Sequence, residues 1–155
     1  GLSYQEAAIT MLGRSWGNLK VVKRFAAVLG AAATLGLALI ALTPLSRLWI
    51  EGVSGLTPEL AGFALPPLRI LVMMPALSVL LSLQRSLQVA RRQTGPVTWA
   101  SVIEVGGILL VLLLTLKWGD WIGATAAATA FMVGRLGGNL FLLPGLFAKP
   151  PEIRG

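Results

Sequence analysis

The sequence predicts an all-α integral membrane protein, a four-span antiparallel helical bundle, and three observations carry that prediction. The 155 residues are 55% hydrophobic and 12% charged, with a mean hydropathy of +0.80, outside the range of soluble globular domains. Four apolar runs, about residues 25–45, 60–83, 97–116 and 121–143, each approach the roughly 20 residues that a helix needs to cross a bilayer. Lipid offers no partner for backbone polar groups, so each run must be helical. The third observation is an unequal division of basic residues between the two sets of connections. One side collects Arg14, Lys20, Lys23, Arg24, Arg85, Arg91, Arg92, Lys149 and Arg154, the other only Arg47 and Lys117. By the positive-inside bias, both termini are expected in the cytoplasm, in a membrane of the bacterial inner (cell) membrane type.

Composition also excludes. A net charge of +7 and a pI near 11.2 invite a nucleic-acid reading, but the basic residues lie between long apolar runs rather than on one polar surface. Nucleic acid is therefore not an expected partner; the lipid bilayer is. With neither cysteine nor histidine there is no disulfide, thiol nucleophile, imidazole base or usual zinc site. No catalytic residue, metal site or cofactor is assigned, and the chain is not read as an enzyme. It opens with Gly1, and no basic-then-apolar signal segment precedes the first span, so it is expected to be processed or a piece of something longer.

Residues 1–24 are read as a cytoplasmic or interfacial helix, or as the end of a preceding span. Tyr4, Ala8, Met11, Leu12 and Leu19 have helical spacing, broken at Gly13 and Gly17, and the basic cluster Lys20, Lys23, Arg24 follows. Span one, 25–45, has no charge and closes at Pro44; Ala26, Gly30, Thr34 and Ala38 form a small-residue seam for close helix approach. The loop from Ser46 to Pro58 carries Arg47, Trp49 and Glu51. Span two, 60–83, contains Pro66, Pro67, Pro75 and Arg69, and returns the chain to Arg85, Arg91 and Arg92. Each proline frees a carbonyl one turn earlier, so this helix is expected to be kinked. A turn at Thr94, Gly95 and Pro96 leads to span three, 97–116, with Glu104. The connection Lys117–Trp121 is so short that span four, 121–143, must be its antiparallel neighbour. Ala126, Ala130, Gly134 and Gly138 form its seam, Pro144 and Gly145 are expected to end it, and 148–155 is a polar tail. Trp16 and Trp99 fall at one membrane boundary and Trp49, Trp118 and Trp121 at the other, an aromatic belt that agrees with the charge count.

At about 1.5 Å of rise per residue, Arg69, Glu104 and Arg135 come out near the midplane on three different spans. Charges there face the bundle interior or a water cavity rather than lipid. One reading is an Arg and Glu pair that only pins helix register. The other is a substrate or ion cavity of net charge +1 that favours an anionic group such as phosphate. Glu104 could also load and release a proton there, since an apolar site disfavours its ionisation while a neighbouring arginine favours it.

Gly13, Gly17 and Asn18, followed by Lys23, Arg24 and a long small-residue span, resemble the Gly-x-x-x-Gly-Asn to Arg-Arg junction of one transporter superfamily. It holds the multidrug and toxin extrusion antiporters and the polysaccharide and lipid-linked oligosaccharide flippases. Leu83, Gln84, Arg85 and Ser86, running into Thr94, Gly95 and Pro96, are similar to its Leu-Arg-Gly to Thr-x-x-Pro connection, with Ser86 where glycine is usual. Gly123, Ala124, Thr125, Ala126 and Ala127 resemble the start of a lobe's last helix. The resemblance implies that the four spans are the last four of a six-helix transporter lobe, and the loose tail suits the second lobe. It further implies alternating access, with the other lobe of the transporter as partner. The substrate would be a small molecule or lipid-linked, coupled to a proton or sodium ion. The acidic ion-site residues of the drug-efflux branch lie on helices outside these spans, so none is carried over, and a relative that moves small anions is also implied. The competing class is a non-transporting scaffold or anchor subunit, which two small-residue seams would suit equally.

Overall fold

Apolar runs with small-residue seams become helices that pack closely, and the computed structural model is helical in every described element. It describes residues 2–14, 16–44, 48–53, 55, 57–118 and 123–148. In chain order these are α1 (Leu2–Arg14), a 3-10 turn (Trp16–Asn18), α2 (Leu19–Leu42), a π-helical turn (Leu48–Val53), α3 (Pro58–Ile70), a second 3-10 turn (Leu71–Met73), α4 (Met74–Ala90), α5 (Gly95–Trp118) and α6 (Gly123–Phe147). Four stretches are long and apolar enough to cross a membrane: 16–42, 62–90, 95–117 and 123–147. The chain is accordingly an integral membrane protein with one more helix, α1, packed into the bundle.

Helix α4 lies at the centre, packed against α1, α2 and α6; α6 also carries α3 and nearly all the packing of α5. Both seams serve this. On α2, Ala26 and Gly30 are buried and Thr34 and Ala38 half-buried; a methyl group added at Gly30 would lie 3.5 Å from the Ala76 Cα. On α6, Ala126, Ala130, Gly134 and Gly138 are all buried. There the backbones come closer still, since a Cβ added at Gly107 would lie 3.3 Å from the Gly134 Cα. Small residues admit such approach, which dispersion then rewards in a solvent where burying a leucine gains little.

The second span is interrupted by a 3-10 turn ahead of one of its three prolines. Pro66 and Pro67 sit inside α3 without interrupting it. Pro75 opens α4 and has no N–H for the Leu71 carbonyl; the Met74 N–H takes that carbonyl instead, one residue early, and the chain turns as a 3-10 helix over Leu71–Met73. The helix then continues to Ala90, two turns past the expected end at residue 83, because Gln84, Arg85 and Ser86 find partners inside the bundle. It closes with the Arg92 N–H on the Val89 carbonyl and the Gln93 N–H on the Gln88 carbonyl, Arg92 taking a left-handed φ of 59°.

Helix α1 runs alongside α4. Tyr4, Ala8 and Leu12 are buried together with Val22, Ala26, Val79, Leu83 and Leu87, and Phe25 stacks on Tyr4 with ring centres 5.9 Å apart. Burial pushes the Tyr4 hydroxyl up to about 12, so it keeps its proton and donates to the Val22 carbonyl at 2.9 Å. Of the apolar set expected on this helix, Met11 remains exposed. The division at residue 24 shifts: Lys20, Lys23 and Arg24 belong to α2, which starts at Leu19.

The expected stop at Pro144 is also corrected. Helix α6 runs through it to Phe147, because cations from two other helices hold its end. Lys23 Nζ donates to the Leu146 carbonyl at 2.7 Å, and Arg91 donates to the carbonyls of Gly145 at 2.6 Å and Ala148 at 2.7 Å while lying 5.8 Å above the Trp16 ring. Positive charge there satisfies orphan carbonyls and opposes the negative end of the helix dipole. These contacts gather the basic segments 20–24 and 85–92 and the end of α6 at one end of the bundle, as the charge count expects. The tail 149–155, Arg47, the connection 119–122 with Trp121, and the side chains of Arg14, Trp49, Glu51 and Trp118 lie outside the described residues.

Candidate functional site

Glu104 on α5 stands between two arginines. Its Oε1 accepts from Arg135 Nη1 of α6 at 3.0 Å, and its Oε2 accepts from Arg85 Nη2 of α4 at 3.1 Å. Arg85 Nη2 also lies 3.2 Å from the Ser101 hydroxyl, one turn before Glu104. The three charged side chains are 13–25% exposed, and together they carry a net charge of +1.

The backbone explains why this carboxylate is reached from both sides. Gly134 and Gly138 flatten α6 where Glu104 crosses it; a Cβ on Gly138 would lie 3.6 Å from the Glu104 Cβ. Arg135, next to Gly134, can then fold back onto the carboxylate. A second layer of polar side chains fixes α4 against α6: Gln84 Nε2 donates to the Asn139 carbonyl at 3.1 Å, and Asn139 Nδ2 donates to the Leu77 carbonyl at 3.1 Å and the Arg135 carbonyl at 2.8 Å. Gln84 and Asn139 are buried, and their side-chain oxygens have no protein partner; neither do the Nε atoms of Arg85 and Arg135. Buried polar atoms without partners are costly, so this layer has hydrogen-bonding capacity left for water or ligand.

Of the residues expected at the midplane, the structure brings Glu104 and Arg135 together and leaves Arg69 out. Arg69 ends α3 in an exposed position, and no ion pair reaches it among the described residues. Arg85 supplies the second cation instead, so the charge of +1 is reached with a different arginine. Depth counting hid it: Arg85 is about 7.5 Å from the end of α4 and Glu104 about 13.5 Å from the start of α5, a gap of about 6 Å. The long arginine side chain spans that gap. A usable signal was present in Gln84, Arg85 and Gln88, three polar groups within two turns of an apolar helix. Of the three prolines assigned to the kink, the break lies at Pro75.

Chemically, the cluster can hold an anion. Each arginine spends one Nη donor on Glu104 and keeps others, and the guanidinium fork suits phosphate or carboxylate. An entering anion could share the arginines with Glu104 or displace it. Comparison with protein-family models, with curated proteins and with solved structures gives no match.

Proposed function

We propose that the chain is part of an alternating-access membrane transporter or flippase whose substrate is an anion or carries an anionic group. The observation that carries this reading is the Arg85–Glu104–Arg135 cluster, a net positive charge on three separate apolar helices. Intramembrane charges are costly and mark substrate or ion paths more often than anchors do. The 3-10 break before α4 adds support, since interrupted helices supply hinges and exposed backbone groups in transporters. A coupling proton or sodium ion, and a second lobe facing this one, belong to the same reading, as does a cytoplasmic position for the basic end of the bundle.

Reconstitution of the whole transporter, this chain together with its second lobe, into liposomes tests it with two probes, radiolabelled pyrophosphate and a fluorescent phosphatidylglycerol whose outer-leaflet copies dithionite bleaches. One of the two should move. Arg135→Gln should then slow its movement on the order of thirtyfold, the loss expected when one partner of a buried charge contact is removed. Arg69→Gln should leave it unchanged. Equal rates for wild type and Arg135→Gln would overturn the reading.

One observation favours the scaffold alternative. Glu104 is satisfied by both arginines within the chain, as a pin between helices would be. On that reading neither probe moves, and Arg135→Gln lowers thermal stability alone.

A further inference from the structure

On the far side of α4 from the charge cluster, a groove of about 420 Å³ runs between α2 and α4 and ends under the last turn of α6. Leu83, in its wall, and Arg85, in the cluster, are two residues apart and so point about 200° apart around the helix. Ala27, Gly30, Ala31, Ala76 and Leu80 make the groove apolar and shallow-walled, and Lys23 closes its mouth. None of its lining residues is acidic. The flanking segments 16–27, 86–98 and 143–148 hold Lys20, Arg24, Arg91 and Arg92 besides Lys23, and no Asp or Glu.

We propose that this groove binds one anionic phospholipid, an acyl chain lying along Ala27, Gly30, Ala31, Ala76 and Leu80 and the phosphate at Lys23. Three arguments select that occupant. The groove is apolar and walled by alanines, a glycine and leucines, and acyl chains are the solvent around it. Its mouth sits where the basic segments gather, which is where a headgroup lies when the chain is in the core. Basic pockets between spanning helices recognise phosphate headgroups by charge, and the charged residues of these flanking segments are all basic. Lys23 Nζ rests on the Leu146 carbonyl, 2.7 Å away, so a phosphate would share or replace that contact and thereby load the clamp on the end of α6. This site is independent of the transport reading and stands or falls without it.

Native mass spectrometry of the purified protein in detergent tests the site with phosphatidylglycerol, phosphatidylcholine and glycerol 3-phosphate as probes. Phosphatidylglycerol should be retained in preference to phosphatidylcholine, and Lys23→Gln should reduce that preference roughly fivefold. Ala31→Phe, which fills the groove from an exposed position, should reduce retention of both lipids while the variant stays folded. It carries the test alone if Lys23→Gln, which also loosens α6, does not fold. Equal retention of the two lipids, undiminished retention in Ala31→Phe, or displacement of phosphatidylglycerol by millimolar glycerol 3-phosphate would each overturn the proposal.

Discussion

Helices α4 and α5 invert the rule that governs soluble proteins. Of the 17 residues of α4, seven are buried, among them Gln84, Ser86 and Gln88. Helix α5 is longer and more uniformly apolar, yet Ala100 is the one buried residue among those described; Trp99, Val102, Val105, Leu109, Leu110, Leu113 and Leu116 are all exposed. In water the apolar helix would be inside. In a bilayer a leucine loses little by facing lipid, whereas a glutamine or arginine must find a protein partner. Polarity therefore pulls α4 to the centre and α5 is held by one face, where its glycine meets α6 and its carboxylate meets the arginines.

The sharpest way to break that contrast is Glu104→Gln. It leaves Arg85 and Arg135 facing each other without their carboxylate, and an uncompensated buried charge costs about 3–5 kcal/mol. Denaturant unfolding in detergent should show that loss, while Arg69→Gln, at an exposed position, should stay within about 0.5 kcal/mol of wild type. Equal effects at the two positions would mean that the charge cluster does not tie α5 to the bundle. Next in size is Gly134→Ala. Its Cβ would stand 2.6 Å from the Glu104 carbonyl oxygen and from Ile108 Cγ1, so α5 must move away, at a cost of up to about 3 kcal/mol. Gly106→Ala, on the same helix pair with open space around it, should cost nothing measurable and serves as its control.

Leucine truncations sharpen the contrast further. Leu87 is fully buried on α4 and Leu113 is 66% exposed on α5. Leu87→Ala should cost about 2 kcal/mol, the low end of the soluble range, because lipid removes the transfer from water and leaves mainly the lost packing. Leu113→Ala should change stability by less than about 0.5 kcal/mol. A Leu113→Ala effect as large as that of Leu87→Ala would show that the open face of α5 is covered by another helix.

Much of this architecture was legible in the residues. Length and apolarity located the four spans, and the four-residue spacing of Ala126, Ala130, Gly134 and Gly138 located the closest helix contact, because both follow from what lipid forbids and what small residues permit. The site was half legible. Glu104 and Arg135 fall at matching depths, so counting found them; Arg85 does not, and only its reach and the rotation of α4 bring it in. Arg69 stands apart from the cluster for the complementary reason: the 3-10 turn at Leu71–Met73 separates its helix from α4, and depth alone carries no information about facing. The ends of α4 and α6 were set by tertiary partners, the polar side chains of α4 and the cations Lys23 and Arg91, which local breaker signals do not report.

A smaller effect than at Leu87 is expected where α4 leaves the bundle. The two hydrogen bonds from Arg92 and Gln93 to Val89 and Gln88 require a left-handed residue after the last turn, and an arginine occupies that position with φ 59°. A side chain there pays about 1 kcal/mol or more for the crowding of its Cβ against the carbonyl. Glycine pays none of it, so Arg92→Gly should raise stability by about 1 kcal/mol, opposite in sign to Glu104→Gln, Gly134→Ala and Leu87→Ala. The side chain of Arg92 is exposed, so little packing is lost with it. If Arg92→Gly destabilises, the positive charge is worth more than the strain, and this end of α4 is held by electrostatics with the neighbouring membrane surface rather than by its backbone cap.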